Sequence, residues 1–62
     1  MNKSCFIKLH NVDNDEVFWI NTDTIDMIEW SEEDNGSLVS CVNNALMVKE
    51  TPEHIMQLIK EA

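Results

Sequence analysis

A single segment of this chain carries a helical period, and it lies at the end. From Pro52 onward the apolar residues Ile55, Leu58, Ile59 and Ala62 recur at three- and four-residue spacing, with Met56 flanking them. That spacing makes one apolar face of an amphipathic helix. The residues that begin it explain where it begins. The Thr51 hydroxyl can accept a free backbone N–H of the first turn, which makes Thr51 a good N-cap. Pro52 has the fixed φ and the missing donor that suit the first helical position. Glu53 brings negative charge to the positive end of the helix dipole, and Lys60 brings positive charge to the other. A helix over residues 52–61 is therefore expected. The neighbours Glu53 and His54 invite an acid/base or metal reading, but adjacent helical residues point in different directions. Every residue of the stretch already has a structural task, and no nucleophile or second histidine is spaced to complete a site.

Everything ahead of Thr51 divides into short β-prone runs separated by Asn, Asp and Gly. Residues 5–10 alternate, with Cys5, Ile7 and Leu9 on one side and His10 on the polar, solvent-facing side. Residues 16–20 are dense in β-formers. Asn11 to Asp15 reads as a turn of left-handed or side-chain-bonded conformers, and Asn21 to Thr24 as one helical turn or a tight corner. Residues 25–30 form a third strand of imperfect period, and Ser31 to Gly36 the most exposed loop. Residues 37–42 and 45–49 make a last pair joined by Asn43-Asn44 as a two-residue turn, asparagine being tolerant of positive φ. The expected fold is α+β: a small antiparallel sheet of four to five strands in the order β-β-β-β-β-α, barrel-like closure being one variant, with one C-terminal helix.

Two of those runs do not alternate. "VFWI" and "ALMV" are apolar at successive positions, so each offers apolar groups to both sides of the sheet. One ten-residue helix shields one side of such a sheet. The uncovered set is expected to include Trp19 or Phe18, Met47 or Leu46, and Trp30. Exposed aromatic and methionine patches mark association surfaces, so a homo-oligomer is expected, through packed sheet faces or paired edge strands. The competing arrangement is a twisted sheet that wraps its second face onto itself.

Charge narrows the partners. Twelve acids face four lysines, arginine is absent, and the net charge is −8. No lysine interrupts the carboxylates from Asp13 to Asp34, among them Glu32, Glu33 and Asp34 in the exposed loop. Such a field repels phosphate backbones and anionic membranes and attracts a basic protein partner. No segment reaches membrane-spanning length, and the opening residues lack the apolar run of a secretory leader. These features point to the cytoplasm, with Cys5 and Cys41 as reduced thiols. No local pair of Cys or His has metal-ligand spacing, and one glycine without arginine builds no phosphate cradle, so no metal, cofactor or enzymatic activity is expected.

Ile7-Lys8-Leu9, Phe18-Trp19-Ile20-Asn21, Thr24-Ile25-Asp26-Met27-Ile28-Glu29 and Met47-Val48-Lys49-Glu50-Thr51 appear in this order before the helix. In that arrangement the chain resembles the FlbD/SwrD family of small flagellar motility accessory proteins, from about Phe6 to Ile59. The strand-to-helix run Val48-Lys49-Glu50-Thr51 is the most specific part of the likeness. The family's Gly-Lys turn before the last strand is replaced here by Asn43-Asn44-Ala45. The resemblance implies the same strands-then-helix fold and an accessory role in motility, or in phages and mobile elements that carry similar short chains. It brings no catalytic or binding residues. The function expected from the sequence is a non-catalytic, self-associating interaction module. Two alternatives are an acidic decoy for a basic nucleic-acid-binding protein and an oligomer holding a small ligand between subunits near Trp19 and Met47.

Overall fold

The computed structural model describes residues 5–62 of the chain; the first four residues of the opening segment read above for a leader lie outside it. The elements follow the order β1 (Phe6–His10), β2 (Val17–Asn21), a 3-10 turn (Thr22–Thr24), β3 (Ile25–Ser31), β4 (Gly36–Cys41), β5 (Ala45–Val48) and α1 (Pro52–Glu61). Strands β1 and β2 pair as one antiparallel ribbon, and β3, β4 and β5 pair as a second antiparallel sheet in that order. The two meet at one point. Asn11 bridges Val48, with the Lys49 N–H on the His10 carbonyl at 2.9 Å and the Val12 N–H on the Met47 carbonyl at 3.1 Å. The spatial order is thus β2-β1-β5-β4-β3. No ladder joins β2 to β3, so the sheet does not close into a barrel.

Local chemistry sets each corner. Asn11 and Asn14 accept the backbone N–H groups of Asp13 and Glu16 with their side-chain oxygens, and Asp15 takes a positive φ of 64°. Asn21 caps the 3-10 turn by accepting the Asp23 N–H at 2.9 Å. Between β3 and β4 Asn35 is left-handed, with φ 53°, and the Ser31 hydroxyl donates to Asp34. Gly36 itself has no positive φ and lies inside β4, not in the loop expected to end with it. It is required for space: a Cβ there would stand 2.5 Å from the Val48 carbonyl oxygen and 2.9 Å from a Val12 methyl. The β4–β5 turn also differs from expectation. The Cys41 N–H bonds the Asn44 carbonyl, so the chain reverses at Val42-Asn43, and neither Asn43 nor Asn44 adopts positive φ.

The ribbon folds over the three-stranded sheet, and this is what covers the core. Ile7, Leu9 and Ile20 from the ribbon meet Val39, Val48 and Ile55 in one buried cluster, with Phe18, Ile25, Ile28, Leu46, Leu58 and Ile59 packed around it. The helix therefore shares its task with β1 and β2 and is not the sole cover. Truncating the fully buried Ile55 to alanine would cost about 2–5 kcal/mol, transfer and cavity together. The two runs without alternation are resolved by the pleat: Phe18 and Ile20 point in while Val17 and Trp19 point out, and Leu46 and Val48 face the core with Met47 opposite. In β3 a bulge falls between Ile25 and Met27, so Asp26 is the extra residue and Ile25 and Ile28 both pack on the core. Cys5 and Cys41 are half-buried and not bridged.

Candidate interaction surfaces

The outer face of the ribbon exposes large apolar side chains. Its register sets Lys8 opposite Trp19, Phe6 opposite Asn21 and His10 opposite Val17. Phe6, Val17 and Trp19 are all exposed there, Trp19 at 64%. The Lys8 ammonium lies 5.9 Å from the centre of the Trp19 ring, a cation–π contact of about 0.5–1 kcal/mol at an exposed site. The backbone of β2 adds a second feature. Hydrogen bonds from Asn11 N–H to Glu16 and from Thr22 N–H to Cys5 fix the alternation of the ladder. Phe18 and Ile20 therefore direct their peptide groups toward β1, and Val17 and Trp19 direct theirs to the open edge. That edge has no lysine, proline or bulge along Val17–Asn21, the devices that ordinarily discourage edge pairing.

The other residues singled out by sequence fall elsewhere. Phe18 is turned into the core periphery. Trp30, 38% exposed, shares a shallow cleft of about 290 Å³ with Met47, Asp34, Glu29, Ser31 and Leu38. Glu32 and Glu33 are exposed at the tip of the β3–β4 turn beside it. The seven residues thus do not form one surface: Trp19 belongs to the ribbon, and Trp30, Met47 and the acidic turn belong to the far end of the second sheet.

An open cleft of about 520 Å³ gathers His10, Asp15, Lys49, Glu50, Thr51 and His54 where β1 passes the strand-to-helix junction. His10 is not simply solvent-facing, as its place on the strand suggested. Its Nδ1 lies 2.7 Å from Glu50 Oε2, and its backbone N–H donates to Glu50 Oε1 at 3.1 Å. Burial pushes the Glu50 carboxyl up, but the His10 side-chain and backbone hydrogen bonds outweigh it and hold the group below its ordinary value. Lys49 pairs with Asp15; its hydrogen bond and then its charge hold the Asp15 carboxyl low as well. The Thr51 oxygen accepts the His54 N–H as the helix cap at 3.1 Å. The His54 side chain, in contrast, is exposed. These groups join β1 to the junction, and among the described residues no three His, Cys, Asp or Glu side chains converge in a way that would hold a metal.

Phe6 and Val17 are not among the residues the sequence singles out, although alternation carries the signal: Phe6 alternates with the core-facing Ile7 and Leu9, and Val17 shares the parity of Trp19. The His10–Glu50 pair spans 40 positions and left no local trace. The described residues form no helix long and apolar enough to cross a membrane. Geometry defines a small α+β domain of two antiparallel sheets and one helix, with an aromatic ribbon face and an acidic rim. No protein-family model, curated protein or solved structure matches the chain.

Proposed function

We propose that the protein is a non-catalytic interaction module that associates with itself through the outer face and open edge of the β1–β2 ribbon and serves a basic protein partner in the cytoplasm. One observation carries the reading: Trp19 stands 64% exposed on the same ribbon face as Phe6 and Val17, and the edge of its strand lacks protective features. A large apolar side chain held in water gives up stabilisation of about 25 cal/mol for each Å² that a second copy would cover. Two β2 edges meeting antiparallel would also pair the peptide groups of Val17 and Trp19 that point outward. The resemblance to the FlbD/SwrD family supports a motility accessory role, with a phage accessory role as the other setting.

Sedimentation at micromolar concentration tests the proposal. Wild type should run well above the 7.2 kDa of one chain. Trp19→Ser should return it to that mass with an unchanged circular dichroism spectrum, since the indole lies outside the core. A wild-type chain that stays single across the micromolar range would refute self-association.

A further inference from the structure

A second surface, distinct from the outer face of the ribbon, lies between α1 and β3. Ile25, Met27, Ile28, Pro52, Met56 and Ile59 line a groove of about 430 Å³ there, together with Thr22 and Asp26. The bulge at Asp26 creates it, because it turns Asp26 and Met27 outward together while Ile25 and Ile28 stay on the core. Met27 is 49% exposed and Met56 56%. Two flexible, polarisable thioethers on facing elements make an adaptable apolar lining.

The charge around the groove decides what can occupy it. Asp26 lines it, Asp23 lies on the adjoining 3-10 turn, and the chain as a whole carries a net charge of −8. Lys60, four positions after Met56, is the one cation of α1. A second copy of this acidic chain would set carboxylates against carboxylates, and an anionic surface would be repelled. An added β-strand is disfavoured too, since the bulge interrupts the β3 ladder alongside the groove. An amphipathic helix needs no backbone pairing and offers apolar anchors at three- and four-residue spacing. We infer that this groove seats a cationic amphipathic helix of a partner protein, its apolar side chains between Met27 and Met56 and its lysines or arginines on the acidic rim. This rests on the interaction-module reading but uses none of the ribbon surface.

The probe is a fluorescent synthetic peptide of leucine and lysine at helical spacing, followed by anisotropy. Two comparison peptides replace leucine by serine at equal charge, or lysine by glutamate. The leucine–lysine peptide should bind, and Met27→Gln/Met56→Gln, which leaves net charge untouched, should weaken it at least tenfold while circular dichroism stays the same. Should that double variant fail to fold, Asp26→Asn should still weaken binding severalfold. Equal binding of the serine–lysine peptide, equal binding by a folded groove variant, or no binding of the leucine–lysine peptide overturns the inference. Trp19→Ser separates the two surfaces: it should dissolve the assembly and leave peptide affinity unchanged. A single-copy wild type that binds the leucine–lysine peptide in this pattern would refute self-association and leave the groove standing.

Discussion

The Glu50 carboxylate holds His10 twice, through the ring Nδ1 at 2.7 Å and through the backbone N–H at 3.1 Å. The same residue's carbonyl accepts the hydroxyl of fully buried Ser37 at 2.6 Å. One residue between β5 and α1 thereby fastens the end of β1 and the start of β4. These elements are remote in sequence, and the Asn11–Val48 bridge is the only β-bridge between the two sheets among the described residues. Glu50 is thus a fastening for the whole arrangement and, through it, for the ribbon that carries Trp19.

Stability should therefore depend on the charge of Glu50. Because its folded pKa lies below its unfolded one, its contribution is fully present above the ordinary glutamate value of about 4.3 and is lost as pH falls through the folded value. Glu50→Gln should cost about 1–2 kcal/mol at neutral pH, the range for a hydrogen bond to a charged group once the neutral amide retains part of it. Urea titrations at neutral and acid pH check this. The gap between wild type and variant should narrow on acidification, and a gap that persists at acid pH would place Glu50's effect in packing instead of charge.

Gly36→Ala should destabilise by about 1–3 kcal/mol, the range for forcing an added carbon into a packed site. The obstacle is the Val48 carbonyl, a backbone atom held by the ladder, at 2.5 Å from the new carbon. It cannot rotate aside as a side chain would. Calorimetry should show a lower Tm for the alanine variant; an unchanged Tm would mean that β4 and β5 separate more easily than their pairing implies.

Much of the frame was legible because it rests on local chemistry. The Thr51 cap, Pro52 at the helix start, the Asn-based turns and the 3-10 corner all depend on residues a few positions apart. Local asparagine preference puts the β4–β5 turn one position too late, because it does not fix register and the ladder sets Ser40 opposite Ala45. The long-range features were not legible. Glu50 meets His10 only after the ribbon folds over the second sheet, and the same folding hides half of the apolar surplus that the sequence assigned to association. The Met27–Met56 groove depends on a bulge that appears in the sequence merely as an irregular period in residues 25–30.

His54 and Thr51 separate a cap from a catalytic reading. Thr51→Ala removes the oxygen that accepts the His54 N–H and should cost about 1 kcal/mol. His54→Ala keeps that N–H and removes only an exposed ring, so it should stay within about 0.5 kcal/mol of wild type. Equilibrium urea unfolding of both variants tests the pair. An His54→Ala loss as large as that of Thr51→Ala would mean that the ring contributes more than its exposure allows.

Salt should act in opposite directions on the two proposed surfaces. Copies that each carry a net charge of −8 repel one another, and added electrolyte screens that repulsion over a Debye length of about 10 Å at 0.1 M. Contact through Phe6, Val17 and Trp19 has one cation, Lys8, already engaged with the Trp19 ring of its own chain, so screening removes more repulsion than attraction. Self-association followed by sedimentation should strengthen as sodium chloride rises, while the cationic peptide should leave the α1–β3 groove over the same range. Were both to weaken with salt, the assembly would be held by ion pairs between copies, and the apolar ribbon face would not be what joins them.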